Sequence, residues 1–148
     1  MDKNDIKKNT SGAKPIGKDS WEIMKNELNG NVDLSELTFS MQFVDFSRFK
    51  KVSEITIPRS ENNLGDYAYA FCPELKKIVI TSDVENIGEH PMHYSPKLET
   101  IEVEENNNYF CSENGLLYSK DKSKLIRCPE GKSGIIVISS RTTTIDRF

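Results

Sequence analysis

Apolar residues return along this chain every 23 positions, in pairs separated by one residue. Ile55 and Ile57 are followed by Ile78 and Ile80, then by Ile101 and Val103. Val52, Leu75 and Leu98 keep the same step just ahead of each pair. Leu64-Gly65-Asp66 returns as Ile87-Gly88-Glu89, and Cys72-Pro73-Glu74-Leu75 as Ser95-Pro96-Lys97-Leu98. Laying 55–77 over 78–100 gives six identities, where composition alone would give about one or two. An apolar residue at every second position marks a strand with one face inward. The pattern predicts stacked units that form a parallel sheet, one short strand per unit and about 4.8 Å between strands. Glu54, Thr56, Lys77, Val79, Thr100 and Glu102 then lie on the outer face, neighbour beside neighbour. Gly65 to Phe71, closed by Pro73, is expected to make a helical turn on the opposite side. Its counterpart 88–94 carries Pro91 early, where a first helical turn tolerates it.

Self-similarity at this period is the signature of a leucine-rich-repeat solenoid, α/β or mainly β in class. Residues 1–18 hold only Ile6 and Ile16 as large apolar groups beyond Met1 and are expected to be a flexible tail. Asp19 or Ser20 caps an expected amphipathic helix with Trp21, Met24 and Leu28 on one face and Gly30 at its end. The segment Leu34 to Phe49 is rich in aromatics and out of phase with the later units, so 19–50 reads as an N-terminal cap on the first core layer. The repeats occupy 51–148. Within them, at about 106–134, two apolar runs, Gly115–Tyr118 and Leu125–Cys128, flank the turn-forming Lys120-Asp-Lys-Ser123 and predict an inserted β-hairpin. Ile136, Ile138 and Ile145 repeat the spacing of Ile55, Ile57 and Leu64, so the array is expected to resume after a 12-residue insertion. It then stops inside a unit, leaving a strand at about 136–138 as an open apolar edge available for self-association.

Charge narrows the function. With 20 basic and 23 acidic side chains, a net charge of −3, and no Lys/Arg face interleaved with aromatics, the chain does not read as a nucleic-acid binder. No apolar run approaches the ~18 residues that cross a bilayer. The charged start, Met1-Asp-Lys-Asn-Asp-Ile-Lys-Lys, is followed by no apolar stretch, so no secretory signal is read there. Cys72, Cys111 and Cys128 are too few and odd in number for a disulfide framework, and whether Cys111 and Cys128 pair across the hairpin is open.

Candidate chemistry is sparse. His90 and His93, spaced i, i+3, could share a metal, but no third ligand is placed beside them. Glu102, Glu104 and Glu105 beside Asn106 offer oxygen ligands for calcium, or simply a solvated loop. Cys72 falls where a small buried thiol fits better than a nucleophile. No phosphate loop, Ser/His/Asp constellation or dinucleotide fingerprint occurs, and no cofactor, metal site or catalytic residue is assigned.

Ile57-Pro58, Leu64-Gly65-Asp66-Tyr67-Ala68-Tyr69 and Cys72-Pro73-Glu74-Leu75 give the chain a likeness that extends over about 52–148. In these motifs, and in the runs Glu105 to Tyr109 and Ser112 to Arg127, it resembles the BspA-like leucine-rich-repeat family of bacterial and protist surfaces. The second unit departs from the family pattern, with Pro91 and Met92 in place of Ala-Phe and Ser95 in place of Cys. The resemblance implies a binding protein, adhesin-like and at the cell surface or secreted, with no catalysis. The expected function is a protein- or peptide-binding scaffold of unknown partner that uses Glu54, Thr56, Lys77, Val79, Thr100 and Glu102. A truncated repeat fragment with a structural role alone, and a metal-dependent enzyme built on His90 and His93, stand as alternatives.

Overall fold

The computed structural model describes residues 28–37 and 49–146. The expected tail and most of the expected N-terminal helix lie outside these residues. Leu28 and Asn29, at that helix's C-terminal end, are not helical, and no helix occurs among the described residues.

The inward pairs are strands, as their spacing requires. β1 (Gly30–Asp33), β2 (Val52–Thr56), β4 (Lys77–Ile80) and β6 (Thr100–Val103) form one parallel sheet in the order β1-β2-β4-β6. Its register follows the 23-residue step: Ile55 lies beside Ile78 and Ile78 beside Ile101. Two columns of side chains therefore run through the core. Val32, Ile55, Ile78 and Ile101 make one, and Leu34, Ile57, Ile80 and Val103 the other, all buried. Burying such a side chain contributes about 1.5–3 kcal/mol, so the columns hold the stack together.

The first column contains a unit that sequence patterning places in the cap. Val32 pairs with Ile55 and Asp33 with Thr56, each 23 positions apart, so β1 is in phase with the array. Gly30, Asn31 and Asp33 disguise it, because turn-forming residues surround its one inward apolar group.

The returns differ from expectation. Residues 65–71 and 88–94 make no helical turn; φ is positive at Tyr67, Tyr69 and Phe71, and again at His90, Met92 and Tyr94. Every second residue is left-handed; Tyr69 and Met92 turn into the core, while Tyr67, Phe71 and Tyr94, two positions away from them, turn outward. The reason lies in the hydrogen bonds. Tyr67 N donates to Glu89 O, Met92 N to Ala68 O and Phe71 N to His93 O, all between coils. A helical turn satisfies its own backbone; here bonds to the adjacent coil alternate with local turns, Ala68 N to Gly65 O and Ala70 N to Tyr67 O, and non-glycine residues carry the strain. β3 (Asn63–Leu64) and β5 (Asn86–Ile87) add a second small parallel ladder. A Cβ on Gly88 would come within 2.7 Å of Asp66 N, so only glycine lets these coils approach.

The insertion is a three-stranded meander. β8 (Leu116–Ser119) and β9 (Lys124–Arg127) are the expected hairpin, and β7 (Phe110–Glu113) precedes them through an Asn114-Gly115 turn with both φ values positive. Asn-Gly is the residue pair such a two-residue turn requires. Gly115 O accepts from Ile101 N, and Ser112 Oγ accepts from Val103 N, so the meander closes the edge of β6. Leu116, Tyr118 and Leu125 form a small core of its own.

The expected strand at 136–138 is absent. Residues 135–139 have no secondary structure, and the array instead finishes on β10 (Thr144–Ile145), which pairs with β9 in parallel. The meander occupies the position beside β6, so Ile136 and Ile138 have no ladder to join.

Candidate functional site

The six outward residues named from the sequence are brought together by the register. Glu54 lies beside Lys77 and Lys77 beside Thr100; Thr56 lies beside Val79 and Val79 beside Glu102. β1 extends both rows with Asn31 and Asp33. Polar contacts knit the face. Asn31 Nδ2 donates to Glu54 Oε2 at 3.1 Å, and Lys77 Nζ meets Glu102 Oε2 at 2.8 Å. The Glu102 hydrogen bond raises the pKa of Lys77, so its cation persists throughout the neutral range. The result is a shallow, mixed surface that is more acidic than basic, with Thr56 and Val79 as small apolar patches.

At the margin of this face Arg59 forks onto Glu104, with nitrogen–oxygen distances of 2.8 and 3.0 Å. Glu104 also accepts from Ser82 N at 2.7 Å. The Arg59 hydrogen bond, aided by Ser82, holds the Glu104 carboxyl below its usual pKa. One carboxylate therefore joins three successive units, and it is spoken for as a calcium ligand.

A second surface was not legible from the repeat pattern. On the return side the outward left-handed positions are aromatic. Tyr67 stacks on His90 with ring centroids 4.9 Å apart, and Phe71 stacks on Tyr94 at the same distance. Each stacked pair is 23 positions apart, so the solenoid step itself makes two columns of rings. Tyr67, Phe71 and Tyr94 are about half exposed. His93 lies between the columns, 4.1 Å from Tyr94 and 5.4 Å from His90. The signal was present in the sequence as Tyr67/His90 and Phe71/Tyr94, but their outward direction depends on the alternating φ.

This ridge is fixed at one end by the segment that leaves the meander. Glu130 Oε1 accepts from Tyr94 N at 2.9 Å and from the buried Arg127 at 2.7 Å, and lies 3.0 Å from His93 Nδ1. Arg127 also reaches His93 Nδ1 at 3.3 Å, so the sharing of that nitrogen depends on the tautomer of His93.

The candidate chemical groups are in structural use. His90 stacks on Tyr67, His93 lies against Glu130, and Glu102 is with Lys77. Among the described residues no three His, Cys, Asp or Glu side chains converge as metal ligands. All three cysteines are free thiols. Burial pushes Cys72 up to about 12, which leaves it a neutral thiol at physiological pH. Of the aromatics in the inserted segment, Tyr109 is exposed, Phe110 packs against the main core and Tyr118 is fully buried, its hydroxyl accepting from Ser139 N.

Short parallel strands stacked at a constant step, with glycine and left-handed returns, define a leucine-rich-repeat solenoid. The chain belongs to the BspA type leucine rich repeat family, whose model matches residues 10–123 in six copies. The match begins well before β1, in accord with a repeat frame that reaches back into the segment read as a cap. A leucine-rich repeat protein from Eubacterium ventriosum ATCC 27560 has a similar fold, with a TM-score of 0.57 and 24% identity over 80% of this chain and 31% of that one. The pneumococcal vaccine antigen PcpA superposes with a TM-score of 0.49 and 21% identity over 80% of this chain and 33% of that one. This chain thus spans about a third of the length of both. No curated protein sequence matches it. The family is generally a non-enzymatic repeat scaffold for protein interaction, and among the described residues no helix is long and apolar enough to cross a membrane.

Proposed function

We propose that this chain is a non-catalytic protein-binding module whose contact surface is the outer strand face formed by Glu54, Thr56, Lys77, Val79, Thr100 and Glu102. The observation that carries this reading is the register. Three successive strands present these residues side by side on a rigid sheet, so a partner meets them without ordering any loop. The mixture of charged and small apolar groups suits a protein or peptide and suits nucleic acid poorly. The family resemblance supports an adhesin-like role at a cell surface or outside the cell.

The double variant Lys77→Glu/Val79→Asp reverses the one cation and charges the apolar patch while leaving both core columns intact. Partner capture by the wild type and by this variant, each shown to be folded by circular dichroism, tests the assignment. A partner retained by the wild type and lost by the variant supports it. Equal capture by both transfers the function elsewhere on the molecule.

The aromatic ridge is the second reading, favoured by the half-exposed Tyr67, Phe71 and Tyr94, since exposed aromatics at such a density are typical of binding hot spots. Phe71→Ser/Tyr94→Ser in the same assay separates the two surfaces.

A further inference from the structure

The aromatic ridge on the return side is flanked by charge of one sign. Asp66 and Glu89 stand immediately before Tyr67 and His90 in adjacent coils, and both are exposed. The register of β3 and β5 carries them side by side, and Glu89 N donates to Asp66 Oδ1 at 2.7 Å. A side chain at position 88 would collide with that same oxygen, so Gly88 is what lets the Asp66 carboxylate lie across the next coil. Among the described residues neither Asp66 nor Glu89 forms an ion pair, whereas the cations near the ridge are taken: Arg127 is buried against Glu130, and Lys97 meets Glu74 at 2.8 Å. Like charges set opposite one another on neighbouring strands are destabilising, and a cation placed between them relieves the repulsion.

The rings beside these carboxylates are nearly parallel. Interplanar angles are 16° for Tyr67 on His90 and 20° for Phe71 on Tyr94, and Tyr67 and Phe71, with centroids 6.4 Å apart, are inclined by 20°. Tyr67, Phe71 and Tyr94 are about half exposed, so solvent reaches their electron-rich rings. Aromatic rings next to unpaired carboxylates attract a cation twice over, through the ring quadrupole and through charge. An uncharged apolar partner seated here would strip water from Asp66 and Glu89 and give neither a hydrogen bond in return, and an anionic partner would be repelled.

We propose that this ridge binds an arginine-bearing segment of a partner protein, the guanidinium stacking on the exposed rings while its N–H groups reach Asp66 and Glu89. This rests on the ridge being a contact surface, the second reading above, and gives that surface an occupant. Arginine fits better than lysine for two reasons. Its planar head stacks on aromatic rings, and its fork of donors serves two carboxylate acceptors at once. Lysine offers a compact, strongly hydrated charge that does neither as well. The Asp66 carboxylate is already fixed by Glu89 N, so the partner orders little on arrival.

The probe is a flexible Gly/Ser peptide carrying two arginines, titrated into the nitrogen-15-labelled whole chain and followed by amide shifts, beside the same peptide with two lysines or two glutamines. The arginine peptide is expected to saturate, to shift amides within 65–71 and 88–94, and to bind at least about threefold more tightly than the lysine peptide. Asp66→Asn/Glu89→Gln keeps the acceptor oxygen at position 66 and removes both charges; it is expected to weaken arginine-peptide binding about fivefold, with an unchanged circular dichroism spectrum. Phe71→Ser/Tyr94→Ser is expected to weaken it to a similar degree. Shifts confined to residues 54, 56, 77, 79, 100 and 102 overturn the proposal, as do equal binding of the three peptides and unchanged affinity in the Asp66→Asn/Glu89→Gln variant. If Phe71→Ser/Tyr94→Ser loses a captured partner but the wild type does not bind the arginine peptide, the ridge remains a contact surface and this occupant is refuted. If that variant keeps its partner and no peptide binds, both readings of the ridge fail.

Discussion

Asn107 shows how much one residue does that no periodicity announces. Its side chain is fully buried and all four hydrogen-bonding positions are used. Nδ2 donates to Thr81 O and Val84 O at 3.0 and 2.9 Å, while Oδ1 accepts from Tyr109 N and Phe110 N at 2.8 and 2.9 Å. It fastens the loop after β4 to the entry of β7. In the sequence it is one of three consecutive asparagines, Asn106, Asn107 and Asn108, and reads as turn; nothing local distinguishes the buried one. While Thr81 O keeps its bond from Val84 N at 3.4 Å, Asn107→Ala removes the side-chain partner of Val84 O, Tyr109 N and Phe110 N. Each costs about 1–3 kcal/mol when buried, and backbone shifts and entering water recover part of that, so a loss of about 3–5 kcal/mol is expected in urea unfolding. A loss below about 1 kcal/mol would show that the loop satisfies itself by another route.

At the scale of the element, the strands were legible and the returns were not. A strand announces itself by which residues it buries, and the pairs Ile55/Ile57, Ile78/Ile80 and Ile101/Val103 are buried as the alternation demands. The return buries Tyr69 and Met92 and turns Tyr67, Phe71 and Tyr94 outward, but through alternating signs of φ that residue type does not reveal. Tyr, Phe and Met are poor left-handed residues, and no glycine stands at the left-handed positions themselves to betray the geometry. β1 was missed for the opposite reason, since only Val32 of its four residues points inward and is apolar. The hairpin of β8 and β9 was visible; β7 was not counted, although Asn114-Gly115 marked its turn. The stacking of strands is tested by Ile78→Asp, which sets a carboxylate between Ile55 and Ile101 with no partner for its charge. Loss of the buried isoleucine alone costs about 2–5 kcal/mol, and the ion adds to it. The cooperative thermal transition is expected to vanish, while Val79→Asp, one residue along and facing outward, keeps it. Survival of a cooperative transition in Ile78→Asp would refute the core column.

At the scale of the whole molecule the units are coupled by contacts that skip the sequence interval. Arg59 and Glu104 are 45 positions apart, and their fork spans the units that carry β2, β4 and β6. Because the folded-state pKa of Glu104 is depressed, its contribution is present above the unfolded value of about 4.5 and is lost as pH falls through the lower folded value. Wild type stability is therefore expected to fall with acid. Glu104→Gln is expected to be less stable at neutral pH, with the gap to wild type closing as the pH drops below the usual carboxylate range. Thermal melts across that range check it; a gap that stays constant with pH would show that the ion pair is not the cause.

What the sequence determined by itself is the interval, the inward and outward identity of each strand residue, and the six residues that share the outer face. These depend on burial, which a one-dimensional spacing encodes because every coil repeats the same environment. Only the tertiary structure decided the left-handed returns, the ring columns they create, the role of Asn107 and the in-phase β1. Each of these depends on whether an adjacent coil supplies a hydrogen-bond partner or a covering side chain, and that neighbour lies 20 or more residues away along the chain.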